Sequence, residues 1–138
     1  MTVLAIEDTP ADVELLRMAL DGAQQAYDLT VVNDGAEALA LLGRMNLDSD
    51  RLPDILVLDL NLPKYDGLEI LEVVRKYPAL DRLPILILTS SSSPRERASI
   101  QGFGLVRYIT KPSDLDEYLK IGPFIRDFVL ESRTEGNS

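Results

Sequence analysis

Residues 55–67 read Ile55-Leu56-Val57-Leu58-Asp59-Leu60-Asn61-Leu62-Pro63-Lys64-Tyr65-Asp66-Gly67. Four consecutive aliphatic residues without polar alternation describe a strand covered on both faces, as in a parallel sheet flanked by helices. Asp59 ends the run and a proline-containing loop follows. Asp66 stands three residues before Glu69, the pattern of an N-cap. The cap oxygen accepts from an orphan helix N–H, and the acid at N3 favours the positive end of the helix dipole.

The same unit recurs outward from this stretch. Val3–Ile6, Leu29–Val32, Ile85–Leu88 and Leu105–Ile109 are further strand-like runs. Capping pairs follow them: Thr9 with Asp12, Asp34 with Glu37, Ser93 with Glu96, and Ser113 with Asp116. Pro10 and Pro94 fall at first helical positions, where a fixed φ helps and the missing N–H costs nothing. Five strand–cap–helix units with right-handed crossovers predict a doubly wound (βα)5 sandwich of three layers. Gly122–Pro123 interrupts the last helix, since Pro123 clashes with the carbonyl of Leu119; a kink or short break is expected there. Asn46–Pro53 reads as a polar loop, residues 1–132 as one domain, and 133–138 as a tail within a polar, frayed stretch that begins at Glu131. No linker or output domain is expected.

Composition narrows the chemistry. The chain has 138 residues, 46% of them hydrophobic, with no cysteine and no histidine. Thiol chemistry, disulfides, catalytic triads and most zinc sites are thereby excluded. Carboxylates, carbonyls and hydroxyls are left, which are hard ligands suited to Mg2+ or Ca2+. A net charge of −9 opposes nucleic-acid binding. The apolar runs are too short to span a bilayer, and no basic or apolar leader precedes Glu7, so a cytoplasmic location is expected.

In an open parallel sheet, ligands bind beyond the carboxyl ends of the strands, where strand order reverses. The residues at those ends are Glu7 and Asp8, then Asp59, Thr89 and Lys111. Each alone reads as a loop acid, a strand-end hydroxyl or a surface lysine. Together they put three carboxylates, a hydroxyl and an ammonium on one rim. Clustered acids call for a divalent cation. A carboxylate can also act as a nucleophile toward phosphorus, with Lys111 and Thr89 stabilising charge on the transferred oxygens.

These motifs resemble the receiver domains of response regulators over essentially the whole chain. The matching stretches are Ile6-Glu7-Asp8, Asp59-Leu60-Asn61-Leu62-Pro63 leading to Asp66-Gly67, Leu88-Thr89-Ser90, and Tyr108-Ile109-Thr110-Lys111-Pro112. The resemblance implies a flavodoxin-like sheet of order 2-1-3-4-5 and a phosphoacceptor at Asp59. It implies Mg2+ ligated by Asp8, Asp59 and the backbone carbonyl of Asn61, with Glu7 acting directly or through water. It also implies a cis Lys111–Pro112 bond, and a switch in which Thr89 moves toward the phosphoryl group while Tyr108 turns inward. Such a domain is a signalling module rather than an enzyme on other substrates. Glu7 departs from the Asp found in many members, and Asn61 and Ser91 are placed to tune phosphoryl lifetime. A haloacid dehalogenase would want Asp at 61; a flavin site would not place Glu7-Asp8 beside a phosphate.

The stretch Glu7-Asp8-Thr9-Pro10-Ala11-Asp12-Val13-Glu14-Leu15-Leu16 resembles the small regulators that partner bacterial and cyanobacterial phytochromes. This implies a light-sensing histidine kinase as phosphodonor and a downstream phosphotransfer protein as one route for output. The apolar stripe Ile121, Phe124, Ile125, Phe128 and Val129 looks wider than one core-facing face requires, so homodimerisation through it is expected.

Overall fold

Strand and helix alternate through the computed structural model, which describes residues 1–136. The elements are β1 (Thr2–Ile6), α1 (Pro10–Asp21), β2 (Asp28–Val32), α2 (Gly35–Leu47), β3 (Ile55–Leu58), α3 (Gly67–Lys76), β4 (Ile85–Thr89), α4 (Pro94–Ser99), β5 (Val106–Thr110), α5 (Leu115–Leu119) and α6 (Ile121–Gly136). Short 3-10 turns at Ser49–Arg51 and Pro78–Leu80 lead toward β3 and β4. The sheet is wholly parallel, in the order β2-β1-β3-β4-β5. The expected architecture and strand order are both realised.

Period-two geometry divides the inner strands between two cores. Leu4, Ile6, Leu56, Leu58, Ile85 and Ile87 face α2 and α3, alongside Leu42, Ile70, Leu71 and Val74. Val3, Ala5, Ile55, Val57, Leu86 and Leu88 face α1, α5 and α6, alongside Leu16, Leu20, Tyr118, Ile125 and Phe128. All four residues of β3 are buried, each contributing roughly 1.5–3 kcal/mol of transfer free energy. The edge strand β5 is half-buried at every position, so its residues stand partly in solvent.

Most helix starts follow the capping pattern. Asp34 accepts from Ala36 and Glu37, Asp66 from Leu68, and Ser93 from Glu96. Two do not. Thr9 is the N-cap of α1 but makes no side-chain capping bond. Asp114, not Ser113, caps α5, accepting from the Asp116 N–H. Its shorter reach to N2 outcompetes a hydroxyl one residue earlier.

The break near Pro123 falls one turn before it. α5 stops at Leu119, whose carbonyl the proline ring would meet, and α6 starts at Ile121, so Pro123 sits in a first turn where its missing N–H is harmless. Gly122 is needed there for a different reason. A Cβ at this position would lie 1.8 Å from the carbonyl oxygen of Ala19, because α6 crosses α1 at backbone contact.

Three expectations need correction. Asn46–Pro53 is not an open loop: α2 runs through Leu47 and a 3-10 turn follows. The polar stretch from Glu131 does not fray there, since α6 continues to Gly136 and Arg133 Nη2 reaches Asp54 Oδ1 at 3.0 Å; Asn137 and Ser138 lie outside the described residues. In the apolar stripe of α6, Ile121, Ile125, Phe128 and Val129 are buried against the sheet and α1, and only Phe124 stands exposed. The stripe lies on one face of the unbroken helix α6 with Phe124 at its margin, so Ile121 and Phe128 offer no surface to a second copy. Among the described residues, no helix is long and apolar enough to cross a membrane.

Candidate functional site

The order reversal at β1 places two strand ends side by side, with β2 on one flank of β1 and β3 on the other. Backbone pairing carries on past the strands and fixes the residues that follow them. The Glu7 N–H donates to Val32 O at 3.0 Å, the Asp59 N–H to Ile6 O at 3.1 Å, and the Lys111 N–H to Thr89 O at 2.7 Å. The register of the sheet therefore sets the spacing of the site.

Glu7, Asp8 and Asp59 each present a carboxylate oxygen within 4.8 Å of the others. Lys111 Nζ lies among the acids, 2.8 Å from Glu7 Oε2, 2.9 Å from Asp59 Oδ2 and 2.9 Å from Asp12 Oδ2. Thr89 is fully buried beneath, and the Asn61 amide Nδ2 donates to its Oγ1 at 3.1 Å. The Asn61 backbone N–H donates to Asp59 Oδ1 at 2.9 Å. The turn after Asp59 depends on Gly67, since a Cβ there would lie 2.6 Å from Leu60 Cα and 2.9 Å from Asp59 O. The close return of the chain starts α3 directly behind the acid.

The two buried acids are pushed in opposite directions. Burial raises the Glu7 carboxyl above its ordinary value, helped by the Asp59 charge and opposed by the Lys111 bond. Burial also acts on Asp59, but the Asn61 N–H, Lys111 and the Thr89 hydroxyl outweigh it and hold Asp59 below the usual carboxylate range. Desolvation alone would lower Lys111; its bonds to Glu7, Asp12 and Asp59 instead keep it firmly protonated. The rim thus combines an Asp59 carboxyl held low, a charged lysine and a neighbouring Glu7 carboxyl held high.

The structure brings together Glu7, Asp8, Asp59, Asn61, Thr89 and Lys111. Tyr108 is engaged outside the rim: its hydroxyl donates to Ser91 O at 2.8 Å, and Arg97 lies over its ring at 4.7 Å. Ser91 in turn bonds Glu96 through its hydroxyl. The expected cis isomer at Lys111–Pro112 is not found; the bond is trans. An X–Pro bond prefers trans by about 0.5–1 kcal/mol, and here the trans chain already delivers Nζ to Asp59. Asp12 was missed. The capping pattern makes it an N3 acid serving α1, whereas its carboxylate is spent on Lys111. The available signal was its placement one turn after Glu7-Asp8, which a helix starting at Pro10 swings back over the rim.

Comparison with known proteins points one way. Residues 3–121 match the response regulator receiver domain family. Response regulator Rcp1 of Synechocystis is 32% identical over 133 residues, covering 96% of this chain and 90% of that one. Response regulator MprA of Mycobacterium leprae is 40% identical over 119 residues, 86% of this chain but only 48% of that longer protein. Two solved structures superpose closely: the Mn2+-bound form of Rcp1 (31% identity, TM-score 0.79, 94% of each chain) and the phosphorylated cyanobacterial phytochrome response regulator RcpA (32%, TM-score 0.79, 94% of this chain and 93% of that one).

Proposed function

The chain belongs to the response regulator receiver domain family, and on that footing we propose that it accepts a phosphoryl group on Asp59 from a sensor histidine kinase, with Mg2+ as cofactor. The observation that carries this reading is the convergence on one rim of three carboxylates and one buried ammonium, with Lys111 Nζ 2.9 Å from Asp59 Oδ2. Such an arrangement leaves a nucleophilic carboxylate ionised while supplying positive charge where phosphoryl oxygens would collect it.

The donor set suits a hard cation: Glu7, Asp8 and Asp59 would hold it, with the Asn61 carbonyl as a further ligand. The raised Glu7 carboxyl supports this, because a cation would relieve what burial and Asp59 impose. When bound, Mg2+ would neutralise charge on the phosphoryl oxygens. The chain's own residues do the rest. Asp59 attacks phosphorus, and the bond from phosphorus to the donor breaks with its electron pair leaving on the donor. Lys111 exchanges its Asp59 contact for a phosphoryl oxygen, and the Thr89 hydroxyl donates to another. Asn61 and the Ser91 N–H both donate to Thr89 Oγ1 (3.1 and 3.5 Å), which leaves the hydroxyl hydrogen free to point at the site.

Output would pass through the surface around Tyr108, where Ser91, Glu96 and Arg97 are linked to its ring and hydroxyl. The likeness to RcpA supports a phytochrome-type kinase as donor, and a downstream phosphotransfer protein is one route for output.

The test is incubation with acetyl phosphate and Mg2+, read by intact mass. A gain of one phosphoryl group, labile to base and absent in Asp59→Asn or with chelator, is the expected result. No adduct from acetyl phosphate or from a cognate kinase would refute the reading.

A further inference from the structure

Lys111 has three N–H bonds to give and three carboxylates to receive them: Glu7, Asp12 and Asp59. Its side chain is 9% exposed, so the head group has little water to fall back on. Two of these partners have a second claim on them. Glu7 and Asp59 belong to the acid cluster that could hold a cation, whereas Asp12 does not. Asp59 also ceases to be a free carboxylate once phosphorylated. A cation among the acids would repel the ammonium, and a lysine on its flexible four-carbon stem would then swing outward.

We propose that Asp12 is a positioning residue for phosphoryl transfer, the one anion that keeps the Lys111 ammonium at the rim while Glu7 and Asp59 are engaged elsewhere. The proposal rests on the phosphoacceptor reading of Asp59. Its geometry is built in from two sides. Pro10 starts α1 so that Asp12 falls in the first turn above Glu7, and the Tyr118 hydroxyl of α5 reaches the Asp12 carbonyl at 3.5 Å, holding that turn against α5. The competing account makes Asp12 an ordinary N-terminal helix acid. Against it, Thr9 makes no capping bond, and the Asp12 carboxylate is 2.9 Å from Nζ. In the transfer step Asp59 oxygen bonds to phosphorus, the phosphorus–oxygen bond of acetyl phosphate breaks, and acetate leaves with the electron pair. One Lys111 N–H moves from Asp59 to a phosphoryl oxygen while another stays on Asp12.

The experiment compares wild type, Asp12→Asn, Lys111→Met and the double variant, with acetyl phosphate and saturating Mg2+, following adduct by intact mass. Asp12→Asn is expected to slow phosphorylation about tenfold, and to slow it no further, within about twofold, in the Lys111→Met background. Asp12→Glu should recover part of the rate. A second readout needs neither metal nor phosphate: in chelator, reductive methylation of Lys111 should quicken several-fold in Asp12→Asn, with Lys64, Lys76 and Lys120 in the same digest unchanged. A wild-type rate in Asp12→Asn, or the same tenfold loss without Lys111, would overturn the inference and leave the phosphoacceptor reading standing. A wild-type protein that takes up no phosphoryl group would overturn both.

Discussion

One strand, β3, carries an aspartate at each end, Asp54 before it and Asp59 after it. The two have much in common. Each accepts from a backbone N–H, Thr2 for Asp54 and Asn61 for Asp59, and each meets a basic side chain, Arg133 or Lys111. Both are held below the ordinary carboxylate range against the pull of burial. They differ in company. Asp54, its side chain 29% exposed, meets cationic and neutral donors, so every contact is attractive and the result is a tie between β1 and α6. Asp59, 5% exposed, shares its space with Glu7 and Asp8. Stability alone gives no reason to gather like charges, and that repulsion, rather than the direction of a pKa, separates a reactive acid from a structural one.

The comparison breaks most sharply at the acids themselves. Asp59→Asn should abolish the phosphoryl adduct in intact-mass assays, whereas Asp54→Asn should take it up at the wild-type rate. The cations come next. Lys111→Met is expected to slow phosphorylation by roughly a hundredfold or more, and Arg133→Met to leave it unchanged; equal losses would dissolve the distinction. In denaturant titrations Asp54→Ala should cost about 1–2 kcal/mol, mostly from the Thr2 N–H left unpaired, since a half-exposed ion pair adds little.

The smallest effect concerns pH without metal. Glu7 is raised above its ordinary 4.5, so the fold favours its protonated form. Its contribution is present below 4.5 and lost as pH rises through the folded value. Asp59 is lowered from 3.8, so its contribution is present above that value and lost as pH falls through the folded one. In chelator, wild type should therefore lose stability relative to Glu7→Gln between mildly acidic and neutral pH, and Mg2+ should return it. Melting curves at two pH values decide this, and a gap that does not widen with pH would count against it.

Much of this was legible in the chain. The uninterrupted aliphatic run of Ile55–Leu58 gave away a strand covered on both faces, and Asp34, Asp66 and Ser93 marked helix starts that the structure keeps. The rim followed because strand ends in a parallel sheet share one edge, so Glu7, Asp59 and Lys111 could be assembled from order alone. What escaped depends on direction rather than position. Asp12 fits a capping pattern perfectly well, and only the rotation of α1 aims it at Lys111. The α6 stripe looked too wide for one core, but its spacing of i, i+3, i+4, i+7 and i+8 is that of one helix face: Ile121, Ile125, Phe128 and Val129 are buried, and Phe124, at the margin, is left outside. The trans Lys111–Pro112 bond reflects an isomer balance too fine for a motif to decide.

The edge position of β5 has a consequence for how the site would come apart. Among the described residues, β5 pairs only with β4. Its beginning is pinned by Arg75, whose guanidinium donates to Phe103 O and Leu105 O from α3. Its far end is fastened through the site: the Tyr108 hydroxyl donates to Ser91 O, and Lys111 Nζ bonds Glu7, Asp12 and Asp59. In Lys111→Met that end should loosen, so the amide at position 111 should exchange with deuterium faster than in wild type, while that of Asp59, enclosed between β1 and β4, should not change. The ion network would thus serve as the clasp on the open edge of the sheet, and undoing the chemistry and unfastening the strand would be one event.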